Sequence, residues 1–572
     1  MSADRSTTEP SITVARNGAE AVFEVLRRWG VDKVFTCPGS TEAAFLDASH
    51  RYSDVSVVLT THESIAVSMA DGYARATGRP AVANLHTNVG LANGIAHLYC
   101  AHLAKSPVVI LNGLKSTSIQ NRSGFTTTPH IRDFARQYAK WDWQTLRADA
   151  IGEDLNRALK IAAAEPMGPT YLGLSQDLLE ERSSVPVPPA EKHRVTARTR
   201  PDPELIAVAS RLLSSSRQPL IVAGYEVARV GALGELVTLA ERLNAPVVAE
   251  DRRTMESVAF PTSHNNYAGL FSPTSEMVRE ADVIFLAGAR TFVEFEASDA
   301  PVFPPGTPLI HLNSDATELA KIYPTEIALV CNSKLGLADL VTAVGSWSSK
   351  NGDTRREFLN RARATYSSIR QQARDESEQL SNSDLISVSA LLDNLASLLD
   401  ESSTVVDDSV TSSAAVKSHL LGNVPCHYVA TAGGSLGWGI GTAFGTKLAT
   451  PDRQVVAIVG DGVFQFGLPG LWTAVHYKIP VVFIVINNGS YAAVKAALYR
   501  YGGPAAKSGR FPGTDISGPH YAHISRGFGA FGQRVERLVD FEAAFRSALK
   551  HDGPAVIEVM TNPDDIGPIQ TS

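Results

Sequence analysis

The chain has 572 residues, enough for two to four domains, and its 44% hydrophobic and 19% charged residues are the balance of a soluble globular protein with sizeable cores. A net charge of −7 offers no general basic surface and argues against a nucleic-acid partner. Cys37, Cys100, Cys331 and Cys426 are scattered without metal-ligand or disulfide-framework spacing. The polar start MSADRSTTEPS lacks the apolar run of a signal peptide, and no window reaches the ~18 apolar residues of a membrane span. A reducing cytoplasm is the expected compartment.

Three blocks follow one another. In the first, residues 19–29 read as an amphipathic helix and 34–36 as a strand ending in Cys37-Pro38-Gly39-Ser40. Residues 55–59, 81–85 and 107–111 read as further strands with helical patterns between them. That alternation predicts an α/β fold, a parallel sheet flanked by helices. Residues 181–200 are charged and proline-rich, the composition of a linker. The second block shows strands at 220–223, 247–249, 282–287 and 309–312. It is Rossmann-like, yet GYEVARVG after its first strand lacks G-x-G-x-x-G, so it carries no nicotinamide or flavin inference. A polar, charged stretch at 348–383 leads to the third block, and residues 562–572 read as a tail.

The third block holds the stretch on which function turns. Residues 455–459 and 481–486 are short apolar runs, each reading as a buried strand, with a helical pattern between them. The first stops at Gly460-Asp461-Gly462 and the second at Asn487-Asn488-Gly489, which makes the motif GDG-x24-NN. Parallel strands joined through a helix bring both ends to one sheet edge, where α/β proteins bind ligands. Asp461 and Asn488 there offer hard oxygen donors suited to Mg²⁺ that also holds phosphate oxygens. Gly460 and Gly462 let the backbone approach a diphosphate closely. Either turn alone is a common strand terminator; together they resemble the diphosphate–magnesium signature of thiamine diphosphate (ThDP) enzymes.

The resemblance covers nearly the whole chain. FTCPGSTEAAFLDA, THESIAVSMADGYARATGRPAVANLHTNVGLANGIAHLYCAHLAKSPVVIL, FPTSHNNYAGL and TAGGSLGWGIGTAFG are similar to the ThDP-dependent 2-keto acid decarboxylase and carboligase family, and within it to benzoylformate decarboxylases. It implies three α/β domains: pyrimidine-binding (12–185), central (200–347) and diphosphate-binding (384–562). Glu63 matches the carboxylate that exchanges a proton with pyrimidine N1′ of the cofactor. Thr60 and Glu63 also have capping-box spacing, so the helix start would hold that carboxylate rigidly. Leu436 matches the wedge that bends the cofactor between its rings, and the Gly434 carbonyl, beside Ser435, faces the 4′-amino group. Pro38, Gly39, Thr411, Gly460, Gly462, Val463 and Tyr491 complete the implied cofactor contacts. Asp461, Asn488 and the Ser490 carbonyl form the implied Mg²⁺ shell. Ser40, His86 and His264 match the serine and two histidines expected to orient a keto acid carboxylate and move protons near neutral pH.

One departure stands out. Where benzoylformate decarboxylases carry large aromatics after the magnesium loop, this chain has Ala492-Ala493-Val494-Lys495-Ala496-Ala497. By that resemblance Ala493 and Ala497 imply a roomier substrate pocket or a different lid, and ALYRYGGPAAKSGRFPG after them is basic, read as a solvated loop in preference to a contact for an anionic substrate. The expected function is non-oxidative decarboxylation of an aryl or branched 2-keto acid, with ligation to an aldehyde acceptor as a further outcome. An acetolactate synthase-like carboligase is the alternative, although the Phe-Gln-Glu word of those enzymes is missing around Gly124-Phe125-Thr126. A non-catalytic ThDP-binding protein is more remote, since Glu63 has no purpose in storage. The resemblance also implies a homodimer or homotetramer. In such assemblies Glu63, Ser40 and His86 of one subunit face Asp461, Asn488, Leu436 and His264 of another.

Overall fold

The computed structural model describes residues 13–251, 256–290, 292, 301–345, 351–380, 385–421 and 427–563. It contains three six-stranded parallel sheets flanked by helices and divides into two compact units. The first unit comprises residues 1–196 with 440–450, and the second comprises 197–439 with 451–572.

In the first unit the sheet runs, edge to edge, Ser56–Leu59, Lys33–Cys37, Ala81–His86, Val108–Leu114, Thr170–Ser175 and Trp141–Gln144, all parallel. The central strands are apolar on both faces because helices cover both. Part of the expected linker is structured: Arg182–Val187 pairs antiparallel with Thr13–Asn17. Val185 and Val187 alternate into the core, a period-two signal that the prolines and charges obscure; an edge ribbon tolerates Pro186.

Two helices of this unit meet through glycines. Helix Glu63–Thr77 lies against the 440–450 part of helix Trp438–Ala449. A Cβ on Gly72 would strike the Thr442 backbone, and one on Gly441 or Gly445 would strike Ser68 or Met69. The Thr442 hydroxyl donates to the Ser68 carbonyl at 3.2 Å across this seam.

The second unit carries two sheets. The central one runs Tyr267–Leu270, Val247–Ala249, Pro219–Ala223, Val283–Ala287, Leu309–Asn313, Ile327–Val330; its two edge strands are short and went unpredicted. The other runs His427–Ala430, Ser403–Asp408, Gln454–Gly460, Val481–Asn487, Ala555–Met560, Phe531–Val535. The charged stretch expected as a connector is largely helix Gly352–Leu380. Phe358, Leu359 and Ala362 bury one face of it, and buried Arg355 donates to the carbonyls of Leu213, Ser214, Ser216 and Leu243. A narrow apolar stripe diluted by charge hid this helix. No described helix is long and apolar enough to cross a membrane.

Candidate functional site

In the first unit the chain leaves strand Lys33–Cys37 toward Ser56–Leu59 on one side and returns as Ala81–His86 on the other. Such a reversal of strand order opens a crevice beyond the carboxyl ends, where α/β sheets bind ligands. Cys37-Pro38-Gly39-Ser40 leaves one of these strands and His86 ends the other. Ser40 is exposed there. Glu63 opens the helix that follows the third strand, Ser56–Leu59. The helix cap is His62, whose Nδ1 accepts the Ser64 N–H at 3.2 Å. The expected Thr60 box does not form; the Thr60 hydroxyl lies 3.1 Å from the carbonyls of Thr36 and His62. The Glu63 carboxylate accepts from Asn93 Nδ2 at 3.0 Å, and Gly90 leaves it room. Burial, with the nearby Glu63 and Glu42 carboxylates, pushes the Cys37 thiol up to about 12.

His86 is held by residues the sequence did not single out. Its Nδ1 stands 2.9 Å from both Thr41 Oγ1 and Glu42 Oε2. Glu42 is fully buried. In sequence it looks like an ordinary acid at a helix start, and no local signal separates it from one.

In the second unit the order reverses between Ser403–Asp408 and Gln454–Gly460. The first strand leads into the turn Val410–Ser412, which contains Thr411; Val410 there adopts φ +55°. Asp407 binds this turn, accepting from the Ser409 N–H and from the Ser413 and Tyr428 hydroxyls. The second strand leads to Asp461, whose oxygens accept the N–H groups of Gly462 and Gly489, each at 2.7 Å. Asn488 accepts the Ser490 N–H at 3.0 Å. The Ser490 carbonyl takes the Ala492 N–H at 2.8 Å, keeping one lone pair. Residues 514–516 clasp this loop, Thr514 accepting from Tyr491 and Ile516 donating to Gly489. A further residue sequence reading missed is Glu558, fully buried, which accepts from Asn487 Nδ2 at 2.7 Å and from the Ala522 N–H at 3.1 Å.

The Tyr491 ring packs over Gly462, where a Cβ would stand 2.6 Å from it, and Val463 is buried beside them. Gly460 has nothing closer than 4.0 Å to a Cβ. Gly434 is exposed with φ +65°, and its N–H and that of Gly433 donate to Thr431 Oγ1. Ser435 and Leu436 follow, both half-buried. Asp408 secures the far side of this turn, accepting the Gly439 N–H at 2.9 Å.

Other expectations fall elsewhere. His264 precedes strand Tyr267–Leu270, at the amino edge of the central sheet rather than its carboxyl edge. Its Nδ1 accepts the Asn266 N–H at 3.1 Å and its Nε2 lies 3.3 Å from Glu241. Ala493 and Ala497 are exposed on helix Ala492–Tyr501, and the basic segment after them is no loop but this helix and Pro504–Ser508. The central sheet has its own reversal, between Pro219–Ala223 and Val283–Ala287. There Glu250 accepts the N–H groups of Tyr225 and Arg290, so those backbone donors are taken. Burial pushes its carboxyl up to about 8.

The 461–490 loops fit a hard divalent cation bound with a diphosphate. Asp461 is 4% exposed, and burial pushes its carboxyl up to about 6, the situation of a buried acid whose countercharge is not a protein group. No cluster of three or more His, Cys, Asp or Glu suited to a metal exists among the described residues. A cation there would find one carboxylate, an amide oxygen and a carbonyl on the chain, and the open space above Gly460 would leave room for phosphate oxygens.

Three family models match the chain. The N-terminal thiamine pyrophosphate-binding domain of the thiamine pyrophosphate enzymes matches residues 16–134, their central domain 206–340 and their C-terminal thiamine pyrophosphate-binding domain 410–559. The chain is a thiamine diphosphate enzyme. It is 30% identical over 552 residues to the benzoylformate decarboxylase of Pseudomonas aeruginosa, covering 95% of this ThDP enzyme and 98% of that one. A probable acetolactate synthase large subunit of Methanococcus aeolicus is 26% identical, with 96% and 92% covered. Among solved structures, a Rhodococcus jostii ThDP-dependent 4-hydroxybenzoylformate decarboxylase superposes with TM-score 0.82 at 28% identity, covering 96% and 100%. The benzoylformate decarboxylase of Polynucleobacter necessarius gives 0.83 at 25%, covering 96% and 99%.

Proposed function

We propose that this ThDP enzyme is a Mg²⁺-dependent carboxy-lyase that decarboxylates an aryl or branched 2-keto acid. The observation that carries the reading is that Ser40 and His86 follow or close the carboxyl ends of adjacent strands, with Cys37 near both Glu63 and the Glu42 that touches His86. Similarity to benzoylformate decarboxylases along nearly the whole chain supports it. Bound ThDP supplies the nucleophilic carbon and electron sink for loss of CO2.

The chain's residues have the remaining tasks. Asp461, Asn488 and the Ser490 carbonyl would hold Mg²⁺ and through it the diphosphate. Glu63 would hold a proton at pyrimidine N1′, its position set by Asn93. The Ser40 hydroxyl would hydrogen-bond the substrate carboxylate, and the His86 ring would give and take a proton at the carbonyl oxygen. His264, engaged at the opposite edge of its sheet, has no part in the proposal. The small Ala493 and Ala497 favour a second outcome, ligation of the decarboxylated fragment to an aldehyde. Purified protein with ThDP, Mg²⁺ and a panel of 2-keto acids, assayed for CO2 and 2-hydroxy ketones together, tests both. CO2 release from no aryl or branched keto acid would overturn the lyase reading; hydroxy ketone as main product would make the enzyme a carboligase.

A further inference from the structure

His86 Nδ1 faces two oxygens at 2.9 Å, Thr41 Oγ1 and Glu42 Oε2. The Thr41 hydroxyl spends its proton on Glu42 Oε1 at 2.8 Å, and Glu42 Oε2 already accepts the Gly39 N–H at 2.7 Å. Both oxygens therefore present lone pairs, and Nδ1 must be the protonated nitrogen. Nε2 is left with the lone pair and no hydrogen bond among the described residues. The ring side chain is 20% exposed, while that of Glu42 is 1% exposed.

The backbone has been cleared for this pair. A Cβ on Gly39 would overlap the His86 ring, and one on Gly113 would overlap Glu42 Oε1. A carboxylate this buried is stable when its lone pairs are taken, and here an N–H, a hydroxyl and a ring N–H take them. A residue that served packing alone would need none of this alignment.

We propose that Glu42 is a positioning residue that locks His86 in the Nδ1–H tautomer, so that Nε2 is the nitrogen that exchanges a proton with substrate. The assignment of that proton to a 2-keto acid rests on the lyase reading above. Glu42 touches no reacting atom; it acts through His86, and Thr41 assists by offering a second acceptor.

Two measurements test it. In protein labelled with ¹⁵N-histidine, with His86 assigned by its loss in His86→Ala, Nδ1 should show the protonated shift and Nε2 the lone-pair shift; the reverse overturns the proposal. This readout needs no turnover, so it decides the role of Glu42 even if no 2-keto acid is a substrate, a result that would overturn only the lyase reading. In kinetics, Glu42→Gln keeps volume and one acceptor but removes the charge. It should lower kcat about 10- to 100-fold, the worth of a charge-assisted hydrogen bond, with KM within about threefold. Glu42→Asp, which keeps the charge but withdraws it from the ring, should fall between Gln and wild type and serves if the Gln protein fails to fold. In the His86→Ala background Glu42→Gln should cost less than about twofold more, since the residue through which it acts is gone. A Gln variant within about threefold of wild type, or losses that multiply in the double variant, would overturn the proposal.

Discussion

The glycine seam in the first unit makes a prediction whose sign depends on tertiary contact. Gly445 lies inside helix Trp438–Ala449, where Ala in place of Gly should by helix propensity stabilise by ~0.8–1 kcal/mol. Here the new Cβ would stand 2.8 Å from the Met69 carbonyl carbon and overlap its oxygen, where ordinary contact begins at 3.4 Å. The atoms struck are helical backbone, so no rotamer relieves the overlap and the helices must part. Overpacking costs ~1–3 kcal/mol, and a clash with unyielding backbone belongs in the upper half of that range, ~2–3 kcal/mol, so it outweighs the propensity gain and leaves a net loss of ~1–2 kcal/mol. For a unit of this size that is a fall of about 2–8 °C in the thermal midpoint. Gly234, in helix Leu233–Leu243 with nothing within 4 Å of its Cβ, is the control; Gly234→Ala should hold or raise the midpoint. The assay is thermal unfolding of both variants followed by fluorescence, with keto acid turnover measured alongside. Gly445→Ala should lose turnover as well, because the helix it displaces begins with Glu63. A Gly445→Ala midpoint at or above wild type would falsify the close-packed seam.

Three further outcomes follow from the site. Burial raises the Asp408 carboxyl from 3.8 to about 7, and its Oδ1 is buried without a partner. Its ionisation thus opposes folding by up to ~4 kcal/mol, a cost absent below the unfolded value near 3.8, growing as pH rises toward 7 and complete above it. Asp408→Asn can keep the Gly439 hydrogen bond, so it should stabilise the protein at pH 8 and flatten its urea midpoint between pH 4 and 7; an unchanged slope would place the titration elsewhere. Glu63→Gln should bind ThDP as wild type does yet lose most turnover, whereas Asp461→Ala should weaken ThDP retention; equal losses of cofactor by equilibrium dialysis would refute the division of roles. Ala497→Phe should shift kcat/KM toward benzoylformate over bulkier keto acids, and unchanged ratios across the panel would remove Ala497 from the pocket.

What could be read from the sequence was what local chemistry forces. A strand that stops in a tight turn needs glycine at its end, so Gly460-Asp461-Gly462 and Asn487-Asn488-Gly489 are legible as two strand ends at a fixed spacing. The alternating strands and helices were legible for the same reason, since burial on both faces leaves continuous apolar runs. Tertiary structure decided the rest. Helix Gly352–Leu380 and strand Arg182–Val187 bury only narrow stripes, and their charges and prolines dominate any local average. Glu42 and Glu558 look like ordinary surface acids until distant loops bury them against His86 and Asn487. His264 stands in a word that suggests a substrate ligand, yet it precedes its strand instead of following it, which leaves its ring at the amino edge of a parallel sheet. A residue's type constrains what it can do; which partner it meets depends on contacts between segments far apart in the chain, and that information exists only once the chain is folded.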